Sequence, residues 1–210
     1  IRMMNFGHLY NKLLGYNILV PDLRGQGKTG GDYVQMGWKD RLDMKDWINA
    51  SFQLFGDSLN MVVHGLSMGA ATTMMLSGED LPDNVKCFVE DCGYTSVWDE
   101  YKHELKKRYN LPPFPLLYGA SLYCQISQDW NFNEASSINQ LKKNTKPMFF
   151  IHGEADTYVP TAMVYQLYEA TQGEKVLWTE PDVPHAKMYW HNPEKYEAKI
   201  EEFVTKYIPN

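Results

Sequence analysis

Five short apolar runs constrain the fold of this chain more than any other feature. The runs are nearly continuous and do not alternate with polar residues; they occupy 17–21, 60–64, 85–90, 147–152 and 175–179. Runs of this length and composition are typical of strands that are covered on both faces, as in a parallel sheet.

Helical patterns fall between these runs, at 2–14, 40–55, 68–77 and 161–170. The last helix has a clear start, because Asn192 is a good N-cap and Pro193 fits the first turn. Its apolar stripe comprises Tyr196, Ile200, Phe203, Val204 and Tyr207. Strands and helices therefore alternate, which predicts an α/β class fold with a doubly wound, mostly parallel sheet.

One stretch, 98–146, interrupts the alternation and contains no clear strand. Long inserts in compact domains are usually functional, so we interpret it as a helical lid on a core formed by 1–97 and 147–210. Its aromatic and apolar side chains, among them Trp98, Phe114, Leu117 and Tyr118, are predicted to bind an apolar part of the substrate. The alternative is that the stretch is a long connection whose aromatic residues pack onto the sheet.

A G-x-S-x-G motif, Gly65-Leu66-Ser67-Met68-Gly69, follows the second run and opens a helical pattern. A sharp strand-to-helix turn lifts the serine hydroxyl above the sheet, and the glycines are expected to avoid clashes there. The turn also places the N–H of Met68 at a helix N-terminus, where it stabilises negative charge. Ser67 is thus the predicted nucleophile and Met68 N–H an oxyanion donor; the alternative is a turn without a catalytic role.

A serine nucleophile needs a base, and the base needs an orienting acid. In the fold that carries this kind of turn, the three residues follow along the chain in the order serine, acid, histidine. His185, in a loop after the last run, is the predicted base in preference to His191. Asp156, just past the fourth run, is the predicted acid in preference to Glu154 and Asp91.

Composition excludes several other functions. The net charge is −6 and no basic patch is visible, so nucleic acid is not an expected partner. Three cysteines without metal-type spacing do not predict a zinc site or a disulfide framework. The stretch Gly25-Gln26-Gly27-Lys28-Thr29 resembles a phosphate loop, but Asp22 occupies the position of its first glycine. We therefore expect no metal or organic cofactor.

With these residues placed, the sequence resembles the α/β-hydrolase superfamily, in particular a bacterial branch of esterase- and serine-peptidase-like members. The matching segments are YNILVPDLRGQGKTGGDY, VVHGLSMGAA, VEDCGYTSVWDE, FIHGEADTYVP and PHAKMYW. The resemblance implies a catalytic triad of Ser67, Asp156 and His185. It also implies earlier strands, and a loop with a second oxyanion donor, that we do not find in the sequence.

The predicted function is hydrolysis of a carboxylic ester or related acyl bond in a small molecule through an acyl-enzyme. A serine peptidase, or a binding-only or impaired homologue, is the alternative. The chain begins with Ile1 and has no window of apolar residues long enough to span a membrane. We therefore expect an N-terminally truncated chain that is cytoplasmic, or anchored to a membrane through a preceding segment.

Overall fold

A computed structural model describes residues 3–208. It contains four strands, β1 (Met61–Leu66), β2 (Val85–Asp91), β3 (Met148–Gly153) and β4 (Lys175–Glu180). All pairings are parallel and the order in the sheet is β1-β2-β3-β4. Four of the five predicted strands are therefore confirmed, as is the α/β class.

Nine α-helices surround this sheet within the described residues. They are α1 (Met3–His8), α2 (Asp40–Phe55), α3 (Met68–Ser77), α4 (Val97–Tyr109), α5 (Leu116–Gln128), α6 (Ser137–Leu141), α7 (Ala162–Ala170), α8 (Met188–His191) and α9 (Pro193–Tyr207). A turn of π-helix, Leu9–Leu13, continues α1. Helices α2 and α3 have the predicted bounds. Asn192 caps α9 by accepting a hydrogen bond from the N–H of Lys195.

The strands are covered on both faces, as their uninterrupted apolar composition predicts. Alternate residues point to opposite faces of a strand, so Cys87 and Val89 pack with α1 and α9, while Phe88 packs with α3 and α7. The central strands β2 and β3 are almost entirely buried, whereas β1 and β4 are only partly covered. This two-sided core fixes the carboxyl ends of the strands at one edge of the sheet.

The prediction of a first strand at 17–21 is wrong. This segment has no regular structure, and Ile18, Leu19 and Val20 remain 45%, 55% and 49% exposed. A strand needs a neighbouring strand for its backbone hydrogen bonds, and no strand within residues 3–208 lies beside this segment. The apolar pattern therefore did not predict either the exposure of these side chains or the lack of a neighbouring strand among the described residues.

Helices α4, α5 and α6 form the insert between β2 and β3. An isolated antiparallel bridge between Ser96 and Ser136 closes its base. A third apolar cluster lies under the insert and includes Tyr94, Leu117 and Trp130. The division of the chain into core and lid stays a prediction. Among the described residues, no helix combines the length and the hydropathy needed to cross a bilayer.

Candidate active site

Ser67 lies in the sharp turn between β1 and α3. Its backbone has φ 56° and ψ −116°, a strained conformation for a residue with a side chain. The N–H of Ser67 donates to the carbonyl oxygen of Asp91 at 2.8 Å, which ties the turn to the end of β2. Met68 begins α3, and the first N–H groups of a helix have no partner inside it. The local fold therefore presents a hydroxyl and a free donor together.

The two glycines of the motif have different roles. A Cβ on Gly65 would lie 2.1 Å from the carbonyl oxygen of Gly69 and 2.6 Å from the N of Ala70, so strand and helix approach too closely for a side chain. A Cβ on Gly69 would meet nothing within 4 Å. The expected clash thus applies to Gly65 alone, and the expectation for Gly69 was wrong.

The structure brings Ser67, His185 and Asp156 into one hydrogen-bonded line. Ser67 Oγ lies 2.8 Å from Nε2 of His185, and Nδ1 of His185 lies 2.6 Å from Oδ2 of Asp156. Each residue follows a different strand, β1, β4 and β3 respectively. This geometry allows the imidazole to take the hydroxyl proton while the carboxylate holds the ring, as acyl transfer from serine requires.

The Asp156 carboxyl is buried but well supplied with donors. Oδ1 accepts from the N–H groups of Tyr158 and Val159, at 2.8 and 2.9 Å. Burial raises the pKa of this carboxyl, but hydrogen bonds from His152 and His185 outweigh that effect and lower the pKa to about 2. Asp156 is thus ionised throughout the neutral range, so it can balance the imidazolium that forms only during acyl transfer.

A second buried carboxylate lies behind the triad. Oδ2 of Asp91 accepts from the hydroxyl of Tyr196 at 3.0 Å. That hydroxyl lies 3.2 Å from Nε2 of His64, whose Nδ1 is 3.0 Å from the hydroxyl of Tyr10. Burial raises the pKa of Asp91 to about 6. Asp91, a rival candidate for the acid, belongs to this network, because its carboxylate accepts from Tyr196 and not from His185.

Cys92 lies beside the triad, which the sequence analysis did not foresee. Its Sγ, an oxygen of Asp156 and a ring nitrogen of His185 lie within 4.8 Å of one another. Burial raises the pKa of the Cys92 thiol well above its usual range, and the nearby carboxylates raise it further. Since metal ligation requires a thiolate and the other two groups already share a hydrogen bond, the arrangement fits a neutral thiol packed against the triad better than a metal site.

Glu100 on α4 is a further buried carboxylate that the sequence analysis missed. The residue is 2% exposed, and neither carboxylate oxygen has a hydrogen-bond partner within the described residues. Burial, and then the charges of Glu104 and Asp156, raise its pKa to about 8. Its spacing from Glu104 and Arg108, four residues each, was the available signal, because it places all three on one helix face.

The predicted substrate-binding residues divide into two groups. Trp98, Phe114 and Tyr118 form an aromatic cluster, with ring centroids 4.9 Å apart for Trp98 and Tyr118 and 5.9 Å apart for Phe114 and Tyr118. Trp98 and Tyr118 line a cavity of about 370 Å³ whose walls all come from the insert. Leu117 instead points into the core beneath the insert. The structure therefore does not join these residues to Ser67, and their role in binding stays a prediction.

The remaining rival residues have other contacts. His191 is exposed at the end of α8. Glu154 accepts from the hydroxyl of Thr179 at 2.7 Å. In the phosphate-loop-like stretch, the carboxylate of Asp22 accepts from the N–H of Lys28 at 3.0 Å and fills the space beside Gly27.

A parallel sheet with a serine on a strand-to-helix turn, an acid and a histidine at successive strand ends, defines an α/β hydrolase. Solved structures agree with this fold. The esterase Pf2001 of Pyrococcus furiosus is 27% identical, with a TM-score of 0.75 over 98% of this chain and 76% of its own.

A family model for the prolyl oligopeptidase family matches residues 8–210, and the chain therefore belongs to this family. Two proteins illustrate the range of its relatives. The uncharacterized protein YqkD of Bacillus subtilis is 29% identical over 97% of this chain and 67% of its own length. The lysophosphatidylserine lipase ABHD12 of Danio rerio is 27% identical over 78% of this chain and 42% of its own length. The chain is a serine hydrolase of the α/β fold.

Proposed function

We propose that this serine hydrolase cleaves a carboxylic ester of a small molecule through an acyl-enzyme on Ser67. The observation that carries the proposal is the continuous line from Ser67 Oγ to His185 at 2.8 Å and from His185 to Asp156 at 2.6 Å. The likeness to an esterase at 27% identity supports an ester as substrate.

The steps follow from the positions of three groups. His185 Nε2 takes the proton of the Ser67 hydroxyl as Oγ attacks the carbonyl carbon. The carbonyl oxygen becomes an oxyanion, and the N–H of Met68 at the start of α3 is placed to stabilise it. His185 then gives its proton to the leaving alcohol, and the acyl group remains on Ser67.

Deacylation repeats these steps with water. His185 takes a proton from a water molecule, the resulting hydroxide attacks the acyl-enzyme, and His185 returns the proton to Ser67 Oγ as the acid leaves. Asp156 stays ionised throughout and stabilises the imidazolium at both stages, since hydrogen bonds lower its pKa to about 2 despite its burial. These steps need no metal or organic cofactor.

Two further substrates have support from the comparisons. The name of the matched family favours an amide or peptide bond, and the name of the zebrafish relative favours a lysophospholipid ester. The triad serves ester and amide alike, so the substrate has to be determined by assay.

A direct test compares hydrolysis of p-nitrophenyl butyrate with that of a prolyl p-nitroanilide by the parent protein and by Ser67→Ala. We expect ester hydrolysis that the substitution abolishes. Ser127→Ala is the matched control, because Ser127 is exposed on α5 and its hydroxyl bonds only to the carbonyl of Tyr123.

A fluorophosphonate probe separates an enzyme from a binding-only protein. Labelling that disappears in Ser67→Ala and persists in Ser127→Ala supports the proposal. A folded parent protein that neither reacts with the probe nor hydrolyses either substrate contradicts it. Faster cleavage of the anilide than of the ester makes the chain a peptidase.

A further inference from the structure

Helix α5 presents apolar side chains to solvent on its outer face. We call this surface, together with Phe114 just before the helix, the α5 apolar face; its residues and exposed fractions are Phe114 (70%), Leu116 (55%), Tyr118 (55%), Leu122 (61%), Tyr123 (61%) and Ile126 (77%). The inner face, with Leu117 and Ser121, is already buried, and Leu117 packs in the apolar cluster beneath the insert. A helix that is apolar on all sides is normally buried on all sides. Within residues 3–208 the outer face of α5 stays largely exposed, although Tyr33 hydrogen-bonds to Tyr123.

The same stretch lacks charge completely. No Asp, Glu, Lys or Arg occurs from Leu111 to Gln128, although charged residues normally make up about a quarter or more of a soluble surface. Two of the exposed side chains are tyrosines, whose rings are apolar and whose hydroxyls favour water. Side chains of this kind are enriched at the boundary between membrane and water.

Positive charge borders this face. Lys102, Lys106, Lys107 and Arg108 on α4 are all exposed, and α4 ends shortly before Phe114. The only acidic residue from 102 to 128 is Glu104, which is buried and paired with Arg108. The next acidic residue, Asp129, follows the end of α5. The stretch 102–128 therefore carries net positive charge in a protein whose net charge is −6.

We propose that the α5 apolar face and the basic end of α4 dock the protein on the surface of an anionic phospholipid bilayer. Apolar side chains would enter the boundary between headgroups and acyl chains, and the lysines would face the anionic headgroups. The choice of occupant rests on charge, because the exposed basic residues of α4 complement anionic headgroups; a second copy of the chain is an outcome of the test. The proposal concerns a surface outside the triad and does not depend on the substrate.

Sedimentation with vesicles tests the proposal. The parent protein is incubated with vesicles of phosphatidylcholine alone and of phosphatidylcholine with about one third phosphatidylserine, and we expect at least about tenfold stronger binding to the latter at low salt. Leu116→Ser with Ile126→Ser should lower this binding about tenfold or more. Leu54→Ser with Phe55→Ser is the matched control, because these residues are similarly exposed, at 73% and 71%, but lie at the end of α2.

The charge component needs its own pair of variants. Lys102→Gln with Lys106→Gln should weaken binding to the anionic vesicles and flatten its salt dependence. Lys28→Gln with Lys142→Gln removes two exposed lysines elsewhere and should bind as the parent does. Circular dichroism and thermal melting establish that every variant is folded.

Three results would overturn the proposal. The first is no binding of the parent to anionic vesicles. The second is equal loss of binding in the Leu116 and Ile126 variant and in the Leu54 and Phe55 control. The third is a dimer in sedimentation velocity that disappears in the Leu116 and Ile126 variant while vesicle binding is absent, which would make a second copy the occupant.

Discussion

The region around Ser67, His185 and Asp156 and helix α5 differ in what they bury and what they expose. Around Asp156 the chain buries a charge and supplies it with two backbone donors and a histidine. On α5 it exposes five large apolar side chains, with Phe114 just before the helix as a sixth, and no charged residue lies among them. The buried charge is stabilised by donors within the protein. The exposed apolar face instead indicates contact with something outside the protein.

The first way to test the triad side of this contrast is His185→Ala. We expect kcat/KM for a p-nitrophenyl ester to fall at least about 10³-fold, because Ser67 loses the base that accepts its proton. His191→Ala, which alters an exposed imidazole six positions later, should keep the parent's rate. A His185→Ala protein with more than about a tenth of the parent's activity would contradict the assignment of the base.

The second test separates the two buried acids. Asp156→Asn should lower kcat about 10²–10⁴-fold, since an amide neither balances the imidazolium nor fixes the ring's tautomer. Asp91→Asn should have a smaller effect, because Asp91 bonds to Tyr196. A larger loss of kcat in Asp91→Asn than in Asp156→Asn, measured with the same ester, would show that Asp91 and not Asp156 is the catalytic acid.

The third test uses the two glycines of the turn that presents Ser67. Gly65→Ala should lower the free energy of unfolding by about 3 kcal/mol or more, because its Cβ would meet the backbone of Gly69 and Ala70. Gly69→Ala has open space and should be neutral, or stabilising by up to about 1 kcal/mol, since alanine favours a helix. Urea unfolding of the pair measures the difference. Equal destabilisation would show that the close approach at Gly65 is absent.

The fourth test concerns Glu100. Unlike that of Asp156, its carboxylate has no hydrogen-bond donor among residues 3–208. Burial raises the pKa of Glu100 to about 8. Between the ordinary pKa of a glutamate carboxyl and pH 8, the folded state therefore keeps a proton on Glu100 that the unfolded state has released. The parent's stability should therefore fall as pH rises through this window. Glu100→Gln removes this loss and should be more stable than the parent at pH 9 by about 1–3 kcal/mol.

Thermal melts of both proteins at pH 5 and pH 9 provide the measurement. Glu197→Gln is the control, because Glu197 lies on α9 and is not among the buried carboxylates. A difference between Glu100→Gln and the parent that does not change with pH would show that Glu100 does not titrate in this window.

The smallest effect is expected on α5. Ile126→Ala should change the free energy of unfolding by less than about 0.5 kcal/mol, because the side chain is 77% exposed. Leu117→Ala, on the buried side of the same helix, should cost about 2–5 kcal/mol. Comparable losses in urea unfolding would mean that the outer face is covered within the folded protein.

The triad residues were accessible from sequence because each follows a strong local pattern. Ser67 lies in a motif whose geometry depends on its immediate neighbours, and Asp156 and His185 each follow an apolar run that forms a strand. Four parallel strands then bring these three positions to one edge without further information. The order of the elements places these residues at one edge, but it does not by itself separate Asp156 from Asp91, which ends β2 at the same edge.

Other features were not accessible because they depend on what lies opposite a residue in space. The run at 17–21 has the composition of a strand, yet pairing requires a neighbour that no side-chain pattern reveals. Cys92 and Glu100 reach the surroundings of the triad only through tertiary packing. The exposure of α5 is similar, since its apolar composition alone predicts a buried helix.

The network behind the triad has a consequence for enzymology. Asp91 is buried, and its burial raises its pKa to about 6. A bend in the pH–rate profile near pH 6 would thus report the ionisation of Asp91, which lies a layer below the reacting atoms. The pH–rate profiles of the parent and of Asp91→Asn, recorded side by side, would show whether this bend disappears when Asp91 can no longer ionise.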